Sequence, residues 1–230
     1  MTATNLPIDT ALLATQRQQL KTVLLAHYGE KKKTEVEQLF EENNGTNNHE
    51  TKNKNSSTGM QSMQEIIPGL YCGSYHPAAD KATLEAAGIT HILCCIGTSP
   101  RFPDSFSYLT IATDDRPDFN IEPFFARTFE FIENALVKEH KKVLVHCGAG
   151  ISRAPSVVCA YLIRKLRLPA VEAIALIRRK RPFASPNTGF TKQLKSYATS
   201  LGIAASKDKV AEALKEKEGR EAALKACMEE

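Results

Sequence analysis

The sequence predicts an α/β domain in which a mostly parallel central sheet is flanked by helices. The main observation is an alternation of two patterns: short apolar runs with the length of strands, and longer segments whose apolar residues recur at helical spacing. The composition agrees with a globular domain, since 42% of the 230 residues are hydrophobic and 24% are charged. A chain of this length holds one ordinary domain with extensions, or two small domains.

Four segments are predicted strands. The first, Ile66–Tyr71, contains a Pro-Gly turn, which is typical of a short strand at the edge of a sheet. The other three are short apolar runs, as expected for strands that are buried. They are His91–Cys95, Tyr108–Ala112 and Lys142–Val145.

Five segments of the same region are predicted helices. They are Asp80–Ala87, Ile121–His140, Ala154–Leu166, Pro169–Lys180 and Asn187–Leu201. Gly88 is suited to end the first of them, and Pro169 lies in the first turn of the fourth. In the second, Phe125, Phe129 and Ile132 share one face, which indicates packing against the sheet.

The remaining segments predict the domain boundaries. Residues 1–40 carry helical periodicity and form an N-terminal extension, whereas residues 41–60 are rich in Asn, Lys, Thr and Ser and predict a disordered linker. The α/β domain then covers residues 61–202. Residues 203–230 alternate in charge and predict a helical or disordered tail.

Charge, hydropathy and cysteine content together argue against several classes of protein. A formal net charge of +4 is too small for a dedicated nucleic-acid binder. No apolar run is long enough to span a membrane, and the first residues lack a secretory signal. The six cysteines are irregularly spaced and form no pair of Cys-x-x-Cys units, so we expect no structural zinc. Reduced thiols in the cytosol or nucleus are therefore expected.

The segment from His146 to Arg153 carries the clearest chemical signal. It follows a predicted strand, precedes a predicted helix, and contains Gly148 and Gly150, which allow the backbone to curl and point its N–H groups inward. The helix N-terminus adds partial positive charge, so an anion is expected to bind at the centre of this loop. The same field would stabilise a thiolate at Cys147 as a nucleophile.

Arg153 is the natural partner of this thiolate. It lies six residues after Cys147, so its side chain can fold back over the loop. Its planar guanidinium matches two phosphate oxygens, a geometry that a lysine ammonium cannot reproduce.

These residues resemble the signature loop of the protein tyrosine phosphatase superfamily, and Ala149-Gly150-Ile151-Ser152-Arg153 resembles its dual-specificity branch. The resemblance covers about residues 61–202. Gly69-Leu70-Tyr71-Cys72-Gly73 is similar to that branch's opening strand, and Ser185-Pro186-Asn187-Thr188-Gly189-Phe190 to its supporting loop. The resemblance implies a small dual-specificity phosphatase-like fold. The implied phosphate-binding residues are Gly148, Ala149, Gly150, Ile151, Ser152 and Arg153, with His146 and Asn187 in support.

Within that branch, two segments most resemble the pseudophosphatases that interact with phosphorylated serine, threonine and tyrosine. They are Gly88-Ile89-Thr90-His91-Ile92 and Ala149–Arg153. Those relatives lack the nucleophilic cysteine, but Cys147 is present here. A second departure is Ala154, because the family usually has Ser or Thr directly after the arginine. The resemblance implies that this hydroxyl steadies the departing thiolate, so we expect slow hydrolysis of a phosphoenzyme.

The resemblance also implies a general acid, an Asp in the loop before the Ile121–His140 helix. Asp115 matches the family's position, with Asp114 second and Asp118 a distant third, although Asp is also common in plain polar turns. The implied reaction forms a phosphocysteine on Cys147 and then hydrolyses it, with no cofactor and no metal.

The implied function is hydrolysis of phosphotyrosine and of phosphoserine or phosphothreonine in proteins, so the expected partner is a phosphorylated protein, with a protein kinase as one candidate. A phosphoprotein-binding module with little turnover is the first alternative. A phosphatase for a non-protein monoester is the second, which the neutral residues 148–152 disfavour. The basic run Arg178–Arg181 is either a solvated helix end or a docking surface.

Overall fold

The computed structural model describes residues 62–203, and within them five strands form one sheet. The strands are β1 (Met63–Ile67), β2 (Leu70–Gly73), β3 (Ile89–Cys94), β4 (Ser107–Thr110) and β5 (Lys142–His146). Their order across the sheet is β1-β2-β5-β3-β4, so β5 lies at the centre.

The sheet is mostly parallel, as the sequence predicts. Strands β2, β5, β3 and β4 run in the same direction, and only the edge strand β1 is antiparallel to its neighbour β2. A turn at Pro68 and Gly69 reverses the chain between them, and Gly69 has a φ of +82° that favours glycine. The carboxyl ends of the four parallel strands therefore share one edge of the sheet.

Six α-helices lie within the described residues. They are α1 (Tyr75–Ala78), α2 (Lys81–Ala86), α3 (Phe125–Glu133), α4 (Arg153–Leu166), α5 (Ala170–Lys180) and α6 (Thr188–Ser200). Apolar spacing does not predict α1, because a single turn of four residues is too short to show periodicity. Asp80 caps α2 by accepting a hydrogen bond from the amide of Ala82 at 3.1 Å.

The segment predicted as one helix from Ile121 to His140 has three parts. A 3₁₀ turn at Glu122–Phe124 precedes α3, and a π turn follows at Asn134–Lys138. The π turn places the Glu139 carboxylate 2.6 Å from Nδ2 of Asn134 and 3.4 Å from Nε2 of His91. These polar contacts accompany the change in helical pitch, which apolar spacing alone does not indicate.

Helix α4 is the most buried helix of the domain. Eleven of its fourteen residues are buried, and it contacts β5 and β2 together with α3, α5 and α6. On β5, Val143, Leu144 and Val145 are completely buried. The connection between β5 and α4 is therefore held at both ends by the core, so residues 147–152 are fixed by packing on each side.

Several sequence-based expectations concern other parts of the chain. The predicted N-terminal extension and linker, and the tail beyond Ile203, lie outside the described residues, so these boundaries stay predictions. Within residues 62–203, no helix combines the length and apolar character needed to cross a bilayer.

Candidate active site

The loop after β5 holds Cys147 at the carboxyl edge of the sheet. Cys147 is 2% exposed, and its Sγ accepts a hydrogen bond from the backbone amide of Gly150 at 3.2 Å. The loop ends where Arg153 begins α4, so the N-terminus of that buried helix faces the loop. An anion at this position would meet the amide donors that a helix start leaves without an intrahelical partner.

Five consecutive carbonyl groups of the loop point away from its centre. The acceptors are the oxygens of residues 148–152, and their donors are Tyr75 N (2.9 Å), Arg181 Nη2 (2.9 Å), Arg181 Nε (2.7 Å), Ser185 N (2.7 Å) and Ser156 N (2.9 Å), respectively. Because the C=O and N–H of a peptide unit point in opposite directions, these bonds turn the amide hydrogens toward the centre. The surroundings of the loop thus create a ring of donors suited to phosphate.

Arg181 supplies two of those bonds from a completely buried position. Its Nη1 also donates to the carbonyl oxygen of Ser62 at 3.0 Å and to Oε1 of Gln64. The basic run Arg178–Arg181 is therefore not one surface, as both sequence-based interpretations assume, because its last member lies under the loop. Ala173 and Ile177 are buried on one face of the helix, and the same four-residue spacing continues to position 181. This spacing is the signal that could have revealed the burial of Arg181.

Gly150 is required where it stands. Its φ is +69°, and a Cβ there would lie 2.5 Å from the carbonyl oxygen of Gly73 and would also overlap Arg181. Gly148 is under less constraint, because the nearest atom to a Cβ at that position would be Nη2 of Arg153 at 3.6 Å.

Arg153 reaches back over the loop, toward the segment that contains the three predicted acid candidates. Its Nη1 donates to the carbonyl oxygen of Thr113 at 3.1 Å, and its Nε lies 3.7 Å from Oδ2 of Asp115. That Nε is buried and has no hydrogen-bond acceptor within residues 62–203. The guanidinium therefore keeps a donor that can be satisfied by an oxyanion beside it.

Asn187 links the loop to Asp115. Its Nδ2 donates to Oδ1 of Asp115 at 3.0 Å, and its backbone amide donates to Oγ of Ser152 at 3.1 Å. Its Oδ1 accepts the amide of Phe190 at 2.9 Å, so the same residue caps α6. Asp118, another of the acid candidates, is 75% exposed, and its Oδ1 lies 3.5 Å from Nε of Arg116.

Helix α6 supports the rest of the segment that carries Asp115. A Cβ on Gly189 would overlap the carbonyl oxygen of Pro117, so only glycine permits this approach. Further along α6, Oε1 of Gln193 accepts the amides of Ile121 at 2.8 Å and Glu122 at 3.1 Å. Its Nε2 donates to the carbonyl oxygen of Phe119 at 2.8 Å. Gly189 belongs to the segment Ser185–Phe190 that resembles the family's supporting loop, whereas no motif in the sequence indicates Gln193. A glycine inside a helical pattern also signals close packing.

His146 lies beside the loop and contacts a second cysteine. It is 4% exposed, with Nδ1 3.4 Å from the carbonyl oxygen of Cys147. Burial alone would raise the pKa of Cys94, but hydrogen bonds with His146 and with Thr98, at 3.3 Å, lower that pKa to about 6. Cys94 is buried, as the sequence predicts, yet it makes polar contacts that a simple core residue would not.

The other three cysteines within residues 62–203 have raised pKa values because they are buried. Burial raises the pKa of Cys72 to about 12, although Arg181 opposes the shift. Burial also raises the pKa values of Cys95 and Cys159 well above the usual range. All three are completely buried, as expected for core residues.

We predict that Arg181→Met destabilises the domain and weakens its affinity for a tetrahedral oxyanion such as tungstate. Methionine fills similar space but leaves the buried carbonyls of Ala149, Gly150 and Ser62 without that donor, which should cost about 3 kcal/mol or more. Urea unfolding and tungstate titration measure the two effects. Arg127→Met, at an exposed position of α3, is the matched control and should change stability by less than about 0.5 kcal/mol. Equal losses in the two variants would contradict the role of Arg181.

The comparison with family models gives one match. Residues 70–200 match the family described as "Dual specificity phosphatase, catalytic domain". This range begins at β2 and ends at the last residue of α6, so it contains the loop, the segment carrying Asp115 and the helix that supports it.

Curated relatives agree with this match. The chain is 37% identical over 139 residues to dual specificity protein phosphatase 1 of Arabidopsis thaliana, covering 60% of this chain and 70% of that protein. It is 41% identical over 139 residues to MAP kinase phosphatase with leucine-rich repeats protein 3 of Dictyostelium discoideum, covering 60% of this chain and only 16% of the relative.

A solved structure agrees as well. The human tyrosine phosphatase-like serine/threonine/tyrosine-interacting protein superimposes with a TM-score of 0.59 at 38% identity, covering 63% of this chain and 99% of that one. These findings confirm the fold class, the family and the enzyme class that the sequence predicts. The chain belongs to the dual specificity phosphatase family, and its residues 70–200 form the catalytic domain of a protein phosphatase, a hydrolase of the protein tyrosine phosphatase class.

Proposed function

We propose that the protein hydrolyses phosphotyrosine and phosphoserine or phosphothreonine in proteins through a phosphocysteine on Cys147. The observation that supports this most strongly is the outward orientation of five consecutive loop carbonyls, 148–152, around Cys147. The inward amides and the guanidinium of Arg153 would hold the three equatorial oxygens of the phosphoryl group. Such preorganised donors stabilise charge in the transition state without reorganisation during the reaction.

In the first step, the thiolate of Cys147 attacks phosphorus and the bond from phosphorus to the substrate oxygen breaks. Asp115 gives its proton to that leaving oxygen. The contacts of Asp115 with Asn187 and Arg153 support this assignment, because they hold the carboxyl group beside the phosphate site. The products are a dephosphorylated protein and a phosphocysteine.

In the second step, Asp115 is ionised and accepts a proton from water as the water oxygen attacks phosphorus. The sulfur–phosphorus bond breaks, inorganic phosphate leaves, and the thiolate of Cys147 is restored. The resemblance to the family assigns a Ser or Thr hydroxyl to this departing thiolate, but Ala154 occupies the position here and is completely buried. The second step is therefore expected to limit turnover.

The substrate is a phosphorylated protein, and a phosphorylated protein kinase is a specific candidate. The Dictyostelium relative's name describes a MAP kinase phosphatase, which supports a kinase as partner for this chain also. The neutral residues at 148–152 favour a substrate with few phosphates over a phosphoinositide. The five cysteines within residues 62–203 are free, which supports residence in a reducing compartment, the cytosol or the nucleus.

The function is tested with a small aryl phosphate, p-nitrophenyl phosphate, in the presence of a thiol reductant and EDTA. We expect hydrolysis by the wild type, and a reduction in kcat of about 10⁴-fold in Cys147→Ser, because the nucleophile is lost. Cys227→Ser, which makes the same chemical change outside the described residues, is the control and should retain full activity. Phosphopeptide binding without hydrolysis by the wild type would instead indicate the binding module.

The general acid is tested by comparing Asp114→Asn, Asp115→Asn and Asp118→Asn. Asp115→Asn should lower kcat/KM, which reports the first step, by about 100-fold or more for an ester with a basic leaving group, phenyl phosphate, since that oxygen must be protonated as it departs. The loss should be much smaller for an ester with an acidic leaving group, such as 2,4-dinitrophenyl phosphate. A loss of this kind in Asp114→Asn or Asp118→Asn, with Asp115→Asn unaffected, would reassign the acid.

The second step is tested by rapid-mixing kinetics. The wild type should release a burst of product equal to the enzyme concentration and then turn over slowly, because the phosphocysteine accumulates. Ala154→Ser should raise the steady-state rate by about tenfold or more by adding a hydrogen-bond donor for the thiolate, while the burst rate stays unchanged. Ala175→Ser, at an exposed position of α5, is the matched control. Linear product release by the wild type would contradict slow hydrolysis.

A further inference from the structure

Two side chains from different elements meet beside the loop that carries Cys147. Tyr75 follows the end of β2, and Arg101 lies in the connection from β3 to β4. Strands β2 and β3 flank β5 on opposite sides, so a contact between these two residues crosses the carboxyl end of the strand that leads to Cys147. Nη1 of Arg101 donates to the hydroxyl of Tyr75 at 3.3 Å and completes this bridge.

Tyr75 is hydrogen-bonded directly to the loop that carries Cys147. Its backbone amide donates to the carbonyl oxygen of Gly148 at 2.9 Å, and its ring centroid lies 6.3 Å from that of His146. Its neighbours are thus the residues on either side of Cys147. Tyr75 nevertheless remains 38% exposed, which makes it one of only two exposed large hydrophobic residues within 62–203.

Arg101 is exposed but stands on an anchored turn. The next residue, Phe102, donates its amide to the hydroxyl of Tyr108 at 3.3 Å and accepts the amides of Ser105 and Phe106. The Phe102 ring packs against the ring of Phe106, with centroids 6.1 Å apart, and the Arg101 guanidinium carbon lies 5.9 Å from the Phe102 centroid. The position of the cation is therefore restricted before any ligand binds, which lowers the entropic cost of using it.

The charge of Arg101 is not neutralised by the domain. No carboxylate within residues 62–203 lies within 4.0 Å of its guanidinium, whereas Arg116, Arg153 and Arg164 each have an acidic partner. The bond to Tyr75 uses one of the five N–H donors of the guanidinium. The remaining donors suit a carboxylate or phosphate, which an arginine fork can bind through two parallel bonds.

We propose that Tyr75 and Arg101 form a subsite that binds an anionic group next to the phosphorylated residue of the substrate. The ring of Tyr75 would line the path of the peptide, and Arg101 would bind either an acidic side chain or a second phosphate. This subsite rests on the proposed function, since it selects among the phosphoproteins that reach Cys147. It makes Arg101 a specificity-determining residue that takes no part in bond breaking.

The subsite is tested by peptide binding to the full chain carrying Cys147→Ser, so that turnover does not interfere. The reference is a labelled phosphotyrosine peptide with glutamine at the two positions on each side. In the other peptides one of these glutamines becomes glutamate, phosphoserine or lysine. Fluorescence anisotropy gives Kd, and an anion at one position should tighten binding about 3- to 10-fold, a preference that weakens at high salt. The glutamate and phosphoserine peptides show which anion the subsite favours.

Substitutions at Arg101 and Tyr75 then assign the preference. Arg101→Gln should abolish it, and Arg101→Glu should reverse it, so that the lysine peptide binds more tightly than the glutamate peptide. Tyr75→Phe keeps the ring but removes the hydroxyl that orients Arg101. It should reduce the ratio of Kd values between the glutamine and glutamate peptides by about half or more. Arg127→Gln removes an equal charge at an exposed position of α3 and should leave the preference intact.

Two results would overturn the subsite while leaving the proposed function intact. One is tight binding of all phosphopeptides with no preference for an anion at any position, and the other is a preference that survives Arg101→Gln. Hydrolysis of p-nitrophenyl phosphate by the wild type is measured separately and reports on Cys147 chemistry alone. If the wild type hydrolyses nothing and no phosphopeptide binds, the proposed function fails and the subsite fails with it.

Discussion

The site depends above all on one buried cation under the loop. The guanidinium of Arg181 bonds to the carbonyls of Ala149 and Gly150, and through its third nitrogen to the segment that enters β1. A planar group with fixed donor directions can orient two adjacent peptide units at once, which a lysine ammonium cannot do. Because the C=O and N–H of a peptide unit point in opposite directions, the bonds from Arg181 to these carbonyls also fix the direction of the loop amides on the other side. Its positive charge also favours the negative charge of a thiolate or phosphate nearby.

Helix α6 imposes a second constraint, because it fixes the distance between the loop and the carboxyl group of Asp115. Its cap Asn187 bonds to both Ser152 and Asp115, while Gly189 and Gln193 hold the segment that follows Asp115. The loop that carries Cys147 and the carboxyl group of Asp115 are thus both held by the first residues of the same helix. Reacting groups positioned in advance reduce the entropy lost in reaching the transition state.

The sequence predicted the parts of this arrangement that are encoded locally. The strand, the loop from His146 to Arg153 and the helix after it are contiguous, so spacing and residue type suffice to recognise them. Arg181, Gly189 and Gln193 act on segments that are distant in the chain; Gln193, for example, binds the amide of Ile121. The helical spacing of Arg181 and the motif that contains Gly189 are present in the sequence, but neither shows which distant carbonyl group the residue meets. The roles of Cys147, Arg153 and Asp115 in the reaction stay predictions.

The order of these elements along the chain has a consequence for protein synthesis. Cys147 and Arg153 leave the ribosome well before Arg181, and the supporting residues of α6 come later still. A nascent chain that has completed β5 and α4 therefore lacks the donors that shape the loop and the helix that holds Asp115. Since domains generally fold as units during synthesis, activity should begin only once α6 has emerged. A product truncated before residue 193 would retain the complete signature sequence and yet have no assembled site.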